Sequence, residues 1–252
     1  MKTELKQALR YWNVSTNFDK IGVIFEDMKK CTQSLKWHIE GARFTDGEQE
    51  IVVDKNNLKI LKENINKYER VSNGTVYDHT LLVLDKMKSF IEINKDKLND
   101  KEKSILIVAA ILHDIGKPYC NQGELQHDVD INGKIFPESV PCVYDHPLVG
   151  ADMGFDLLLE WGLPEDDANL IRRMIKYHMR MHQIENIKKV HKLQTMIEKE
   201  HWPYLIILSY CDENGCIPVQ EGSYKGILNI LKQRQQEIPT ALDFFKERSI
   251  TF

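Results

Sequence analysis

Apolar positions along this chain recur mostly at helical spacing, and polar breaks divide them into segments. Ile21, Val23, Ile24, Phe25, Met28 and Leu35 follow Thr16 and Asn17, either of which suits a helix N-cap. Leu58, Ile60, Leu61, Ile65 and Tyr68 predict a helix opened by Asn56-Asn57, and Glu50-Ile51-Val52-Val53 reads as a short strand. Ser72-Asn73-Gly74 then breaks the chain. Beyond it, helices are expected over Asp78–Ile93, Lys101–Asp114, Pro147–Trp161, Pro164–His178, Ile187–His201 and Pro203–Asp212. Gly162 fits a helix stop, and Pro164 followed by Glu165-Asp166-Asp167 fits a start, because Pro suits the first helical position and acids suit the first turn.

An irregular insert runs from Tyr119 to Tyr144. Its Asp130–Phe136 segment reads as a hairpin on the Asn132-Gly133 turn, placed to act as a substrate loop or simply as surface. Residues 223–252 predict one or two amphipathic helices. The expected class is all-α: a helical N-terminal extension over 1–71, a core over 72–216 with a small β-hairpin insert, and C-terminal helices over 217–252 packing on the core. The extension shows nothing catalytic.

Composition narrows the function classes. With 252 residues, 42% hydrophobic and 29% charged, the chain suits one large or two small globular domains. A net charge of −4 argues against a broad nucleic-acid-binding surface, though a local patch is compatible with it. No apolar run approaches the roughly 20 residues that span a bilayer, and Met1–Gln7 lacks the apolar stretch of a signal peptide. The five cysteines are scattered, without Cys-x-x-Cys spacing, so neither a disulfide framework nor a thiolate zinc site is indicated. The expected compartment is the cytoplasm.

The candidate chemistry lies where charge interrupts apolar runs. His113-Asp114 closes Ile105–Leu112 and precedes Ile115-Gly116-Lys117-Pro118. Burying such a pair is costly unless something compensates it, and a metal ion does so. His79, His113, His146, His178 and Asp212, each beside an apolar stretch, follow one another at intervals of 34, 33, 32 and 34 residues. One helix plus its connection fits that interval, so five consecutive helices can each deliver a ligand to one centre. Any one of these histidines reads equally well as a satisfied core residue; all five positions together do not. His127-Asp128, in the polar stretch Glu124–Asp130, reads instead as a solvated loop. No sequence repeat accompanies the interval, which excludes a solenoid.

The order His, His-Asp, His, His, Asp resembles the HD-domain metal-dependent phosphohydrolases over residues 72–216. Within that superfamily, Tyr77-Asp78-His79-Thr80 and Asp212-Glu213-Asn214-Gly215 are similar to elements in the HD domain of bacterial tRNA nucleotidyltransferases and of HD-linked polynucleotide kinases. The second element usually continues with Arg; this chain has Cys216 there.

The resemblance implies an HD-type helical bundle in which His79, His113, Asp114 and Asp212 hold one metal. His146 and His178, with Asp114 as bridge, hold a second. Mixed imidazole and carboxylate ligands suit divalent Mn, Fe, Co, Ni or Zn. Catalytic roles fall on Asp114 and on Lys117, which is placed to neutralise charge on a phosphate. Arg172, Lys176 and Arg180 are expected to guide the substrate, with Arg173 beside them and His182 at the same mouth. Asp145 suits either a partner of a ligand histidine or a helix cap, and His38, His191 and His201 suit surface or packing roles.

The implied activity is a phosphatase or 2′,3′-cyclic phosphodiesterase acting on nucleotides or RNA ends through a metal-activated hydroxide. There is no Gly-x-x-x-x-Gly-Lys-Ser/Thr element, so RNA-end repair would need separate partners. The same ligands also suit an HD-type diiron oxygenase of a small polyol or phosphonate. A non-enzymatic nucleotide sensor is a third class, but it has no need of a complete ligand set.

Overall fold

Side-chain caps start the two helices that carry the first half of the candidate site. In α4 (Val76–Ile93), the Thr75 hydroxyl accepts from the Asp78 backbone N–H while the Asp78 carboxylate accepts from the Thr75 N–H. In α5 (Asp100–Leu112), Asn99 and Glu102 make the same reciprocal pair. The computed structural model describes residues 1–14, 18–32, 40–54, 56–72, 74–120, 123–131, 134–142, 145–181, 192–193, 195–216 and 239–252.

The remaining α-helices among the described residues are α1 (Lys2–Leu9), α2 (Asp19–Lys30), α3 (Leu58–Asn64), α6 (His146–Glu160), α7 (Glu165–Met181), α8 (Trp202–Asn214) and α9 (Pro239–Glu247). The class is all-α, as the helical periodicity predicts. Helix α5 forms the middle of the bundle, in contact with α1, α4, α7 and α8, and every residue from Val108 to Gly116 is buried. Each large aliphatic side chain so placed contributes about 1.5–3 kcal/mol. Pro147 and Pro203 stand in the first turns of α6 and α8, where no intrahelical N–H is lost. The acids Glu165, Asp166 and Asp167 open α7. Among the described residues, no helix is long and apolar enough to cross a membrane.

Helices α1 and α2 of the N-terminal extension join the main core through Leu5, Leu9, Ile21, Phe25 and Met28. The extension also holds a three-stranded antiparallel sheet, in the order β2 (Glu50–Val52), β1 (Arg43–Thr45), β3 (Glu69–Ser72). With α3 it encloses a second small core of Ala42, Phe44, Val53, Leu61, Ile65 and Tyr68. The strand expected over 50–53 is β2. The other two strands of the sheet carry no alternation legible in the sequence, because strands of three and four residues are too short to show a period of two. The helix expected to reach Tyr68 stops at Asn64 and tightens into a single 3₁₀ turn over Ile65–Lys67.

The insert is a hairpin of β4 (Gly123–Ile131) and β5 (Lys134–Cys142), paired from Ile131↔Lys134 to Gly123↔Cys142. It is longer than expected. His127-Asp128 accordingly lies within β4 rather than in a loop. The Asn132-Gly133 turn, the proposed caps Thr16 and Asn17, His38, His182, His191 and residues 187–191 and 194 of the helix expected over Ile187–His201 lie outside the described residues; beyond them, residues 195–198 are turn and coil and Lys199–His201 is a 3₁₀ turn.

Candidate metal centre

Five helices bring the six candidate ligands to one buried place. His79 lies in the first turn of α4, and His113-Asp114 follows the last turn of α5. His146 opens α6, His178 lies near the end of α7, and Asp212 lies near the end of α8. All six are between 0% and 6% exposed. Chain reversal after Asp114 depends on Gly116: a Cβ there would stand 2.3 Å from the His146 carbonyl oxygen and 2.5 Å from the Gly150 nitrogen. Only a residue without a side chain lets the end of α5 abut the start of α6.

The carboxylate of Asp114 faces two ways. Its Oδ2 lies 3.3 Å from His113 Nε2 and 3.7 Å from His79 Nε2. Its Oδ1 lies 3.4 Å from His146 Nε2 and 3.6 Å from His178 Nε2. Asp212 Oδ1 is 3.0 Å from His79 Nε2 and 3.8 Å from His113 Nε2. Two ligand clusters, His79–His113–Asp114 and Asp114–His146–His178, therefore share Asp114.

The imidazoles are oriented from behind. His113 Nδ1 lies 2.9 Å from the Ala110 carbonyl and His178 Nδ1 lies 2.7 Å from the Ile175 carbonyl. A carbonyl only accepts, so each Nδ1 carries the proton and each Nε2 turns a lone pair inward. Among the described residues, His178 Nε2 and Asp114 Oδ1 are buried without a hydrogen-bond partner. Imidazole lone pairs facing carboxylate oxygens in a dry pocket repel one another unless a cation lies between them. The residues present thus fit divalent metal ions.

The electrostatics agree. Burial would raise the Asp114 carboxyl, but Lys117 and His113 more than offset it and hold the group well below the usual carboxylate range. Burial pulls His178 down to about 4, so it is neutral at pH 7, as a metal ligand must be. Burial likewise pulls His79 down, but Asp212, Cys216 and Glu40 lift it well above the ordinary imidazole value, so a metal would have to displace its proton.

Lys117 Nζ lies 2.6 Å from Asp114 Oδ2, so the lysine singled out from the sequence does reach the centre. Arg172 is held by Asp152 at 2.6 Å, with its guanidinium 4.9 Å from the Phe155 ring centroid. Lys176 Nζ lies 5.5 Å from the Tyr177 ring centroid, Arg180 is exposed, and Arg173 pairs with Glu198. Asp145 is the N-cap residue of α6 but makes no side-chain cap bond. His201 pairs with Glu198 at 2.8 Å, away from the centre.

Two residues near the ligands lie outside the expected set. Cys216, buried, groups with His79 and Asp212 and donates its thiol hydrogen to the Asp212 carbonyl at 3.2 Å. Glu40, from the N-terminal extension, reaches His79 Nδ1 at 2.9 Å. A loop acid with no periodic context gives no signal in the sequence.

A helical bundle closing on four histidines and two aspartates is suited to hold divalent metal ions. The chain matches the HD domain family over residues 76–213, more than half its length, and it belongs to that family, within the metal-dependent phosphohydrolase superfamily. It is similar to the bifunctional uridylyltransferase/uridylyl-removing enzyme of Vibrio cholerae, 26% identical over 170 residues, 61% of this chain and 17% of that protein. The corresponding enzyme of Aliivibrio fischeri is 23% identical over 220 residues, 84% of this chain and 20% of that protein. That of Vibrio campbellii is 22% identical over 183 residues, covering 70% and 17%. The chain spans a fifth or less of the length of these relatives.

Proposed function

We propose that this chain is a dinuclear metal-dependent phosphohydrolase acting on a nucleotide or RNA-end phosphate ester, as a phosphatase or a 2′,3′-cyclic phosphodiesterase. The observation that carries the reading is Asp114, with one carboxylate oxygen toward His79 and His113 and the other toward His146 and His178. That is the geometry of a carboxylate bridge. His79, His113, Asp114 and Asp212 would hold one ion, and Asp114, His146 and His178 the other. The nitrogen and oxygen donors favour Mn, Fe, Co, Ni or Zn.

When bound, two such ions activate water and bind phosphoryl oxygens for in-line displacement. The chain supplies the rest. Burial of the six ligands excludes bulk water, and the backbone carbonyls behind His113 and His178 keep their lone pairs inward. Lys117 places a positive charge at the rim of the centre, where it can move from Asp114 to a phosphate oxygen and offset developing negative charge. Lys176 and Arg180, on α7 with His178, would guide the phosphate toward the centre; Arg172, paired with Asp152, would do so only on leaving that partner. Residues 72–216 would form the catalytic core, supported by helices α1 and α2 of the extension and by the described C-terminal residues Phe244, Phe245 and Phe252, which join the main core. The relatives remove uridylyl groups, so a nucleotidyl phosphodiester joins the substrate candidates. Action in the cytoplasm on small nucleotide substrates fits the net charge of −4.

The test is metal analysis of the purified protein together with hydrolysis of 2′,3′-cyclic AMP, p-nitrophenyl phosphate and thymidine 5′-p-nitrophenyl phosphate, with Mn, Co or Ni added. Two ions per chain with turnover of any of these supports the reading. Two irons, no hydrolysis, and oxygen uptake with a polyol or phosphonate would replace it with the oxygenase. Tight nucleotide binding without turnover of any substrate would replace it with the sensor.

A further inference from the structure

The imidazoles of the centre are not all braced alike. His113 and His178 rest their Nδ1 atoms on carbonyls of their own helices, one turn back. His79 instead meets a carboxylate. Glu40 Oε1 lies 2.9 Å from His79 Nδ1, close although off the ideal hydrogen-bond line, and both side chains are 1% exposed. Glu40 lies outside the segment matched by the HD family. A buried carboxylate is costly unless it is paired, so a chain that keeps one in a loop has built the loop around it.

That construction is visible in the backbone. Gly41 has φ +71°, and its N–H donates to the Val53 carbonyl at 2.8 Å, while the Val53 N–H donates to the Ala42 carbonyl at 2.8 Å. A Cβ on Gly41 would lie 2.5 Å from Asp78 Oδ2, and one on Gly74 would lie 1.5 Å from the Glu40 carbonyl oxygen. Asp78 is the capping acid of α4, one residue before His79. The small sheet of the extension is thus clamped onto the start of α4 through two glycines, in the register that sets Glu40 behind His79.

We propose that Glu40 is a positioning residue of the metal centre, and that the N-terminal extension is the part of the chain that completes it. A carboxylate only accepts, so His79 Nδ1 carries the proton and Nε2 turns toward Asp114 and Asp212. A carboxylate behind an imidazole also makes it a stronger donor than a carbonyl does, and loss of such a partner typically weakens metal binding by about 10–100-fold. The extension is then no independent appendage: the HD segment alone would hold a looser first metal.

This inference rests on the metal-centre reading, and the experiment separates the two. Zinc or manganese affinity is measured by competition titration on full-length wild type, E40Q, E40A and E40D. Melting of the metal-free proteins serves as a control for folding. Nitrogen-detected imidazole NMR of the zinc-loaded proteins reports which His79 nitrogen carries the proton. The expected result is a Kd for the first metal raised about 10–100-fold in E40Q and E40A. Recovery in E40D, near-wild-type melting of metal-free E40Q and a disturbed His79 Nδ1–H signal are expected alongside it. E40Q binding metal as tightly as wild type, with the His79 signal unchanged, overturns the role of Glu40. Should E40A fail to fold, E40Q decides. A wild type that binds no divalent metal overturns the centre itself.

Discussion

Lys117 Nζ lies 2.6 Å from Asp114 Oδ2, and the aspartate is buried. Burial pulls the Lys117 ammonium down, but Asp114 more than restores it and holds it above the usual lysine range. The pair therefore stays ionised at any pH near neutrality, and the lysine would compete with divalent ions for the Asp114 carboxylate.

Removing that competitor has two opposed consequences. Lys117→Met is expected to tighten divalent metal binding by about tenfold or more, since a unit charge a few ångströms away is worth a few kcal/mol even at an effective dielectric near 20. The same variant is expected to lose about 10²–10³ in kcat, as charge-stabilising groups do. Titration calorimetry and steady-state rates at saturating metal read the two effects separately. Weaker metal binding together with unchanged kcat would assign Lys117 to structure alone.

The two faces of Asp114 predict unequal losses around the centre. Asp114→Ala removes a ligand from both clusters and is expected to leave no tightly bound metal. His178→Ala removes a ligand from one cluster and is expected to leave one ion per chain, still coordinated by His79, His113, Asp114 and Asp212. Both variants are expected to lose hydrolysis by about a hundredfold or more. Elemental analysis after dialysis distinguishes them, and equal metal content in the two variants would contradict the bridge.

His178 makes the metal-stripped protein sensitive to mild acid. Burial holds its folded-state value at about 4, against an ordinary 6.5. Between those values the unfolded chain takes up a proton at this residue and the folded chain does not, so stability falls as pH drops from 6.5 toward 4. The full loss is on the order of 3 kcal/mol. His201, also lowered by burial, adds with the same sign. His79 is raised: its contribution is present below pH 6.5 and is lost only as pH rises through its folded value. Asp114 is lowered: its contribution is lost only as pH falls below the carboxylate range. Urea unfolding of stripped wild type and His178→Gln, from neutral pH to about 4.5, is expected to show a shallower pH slope in the variant. Parallel curves would contradict the assignment.

The candidate ligands were legible as a set because each stands where an apolar helical run meets charge, and because one helix and its connection repeat at nearly constant length from His79 to Asp212. Period and burial conflict there, and the conflict itself marks the site. Glu40 was invisible for the opposite reason: it sits in an irregular segment, and its role comes from a glycine clamp that only the folded chain displays. Strands β1 and β3 were missed because three or four residues cannot show alternation. Arg172 shares a helix face with Lys176 at i, i+4, but spacing along one helix does not reveal its ion pair with Asp152 on the neighbouring one.

Gly116 joins the two halves of the centre, and its substitution tests that dependence. The end of α5 and the start of α6 touch through bare backbone, where a Cβ would lie 2.3 Å from the His146 carbonyl oxygen and 2.5 Å from the Gly150 nitrogen. Neither contact is a flexible side-chain end, so Gly116→Ala must push α6 away, at a cost of about 1–3 kcal/mol. His146 moves with α6, whereas His79 and Asp212 reside on α4 and α8, and His113 stays with α5 on the opposite side of the contact. The variant is expected to keep one metal near wild-type affinity and to bind the second more weakly. A Gly116→Ala protein that binds both ions as wild type does would mean that the centre tolerates a displaced α6, and that His146 is not needed to hold the second metal.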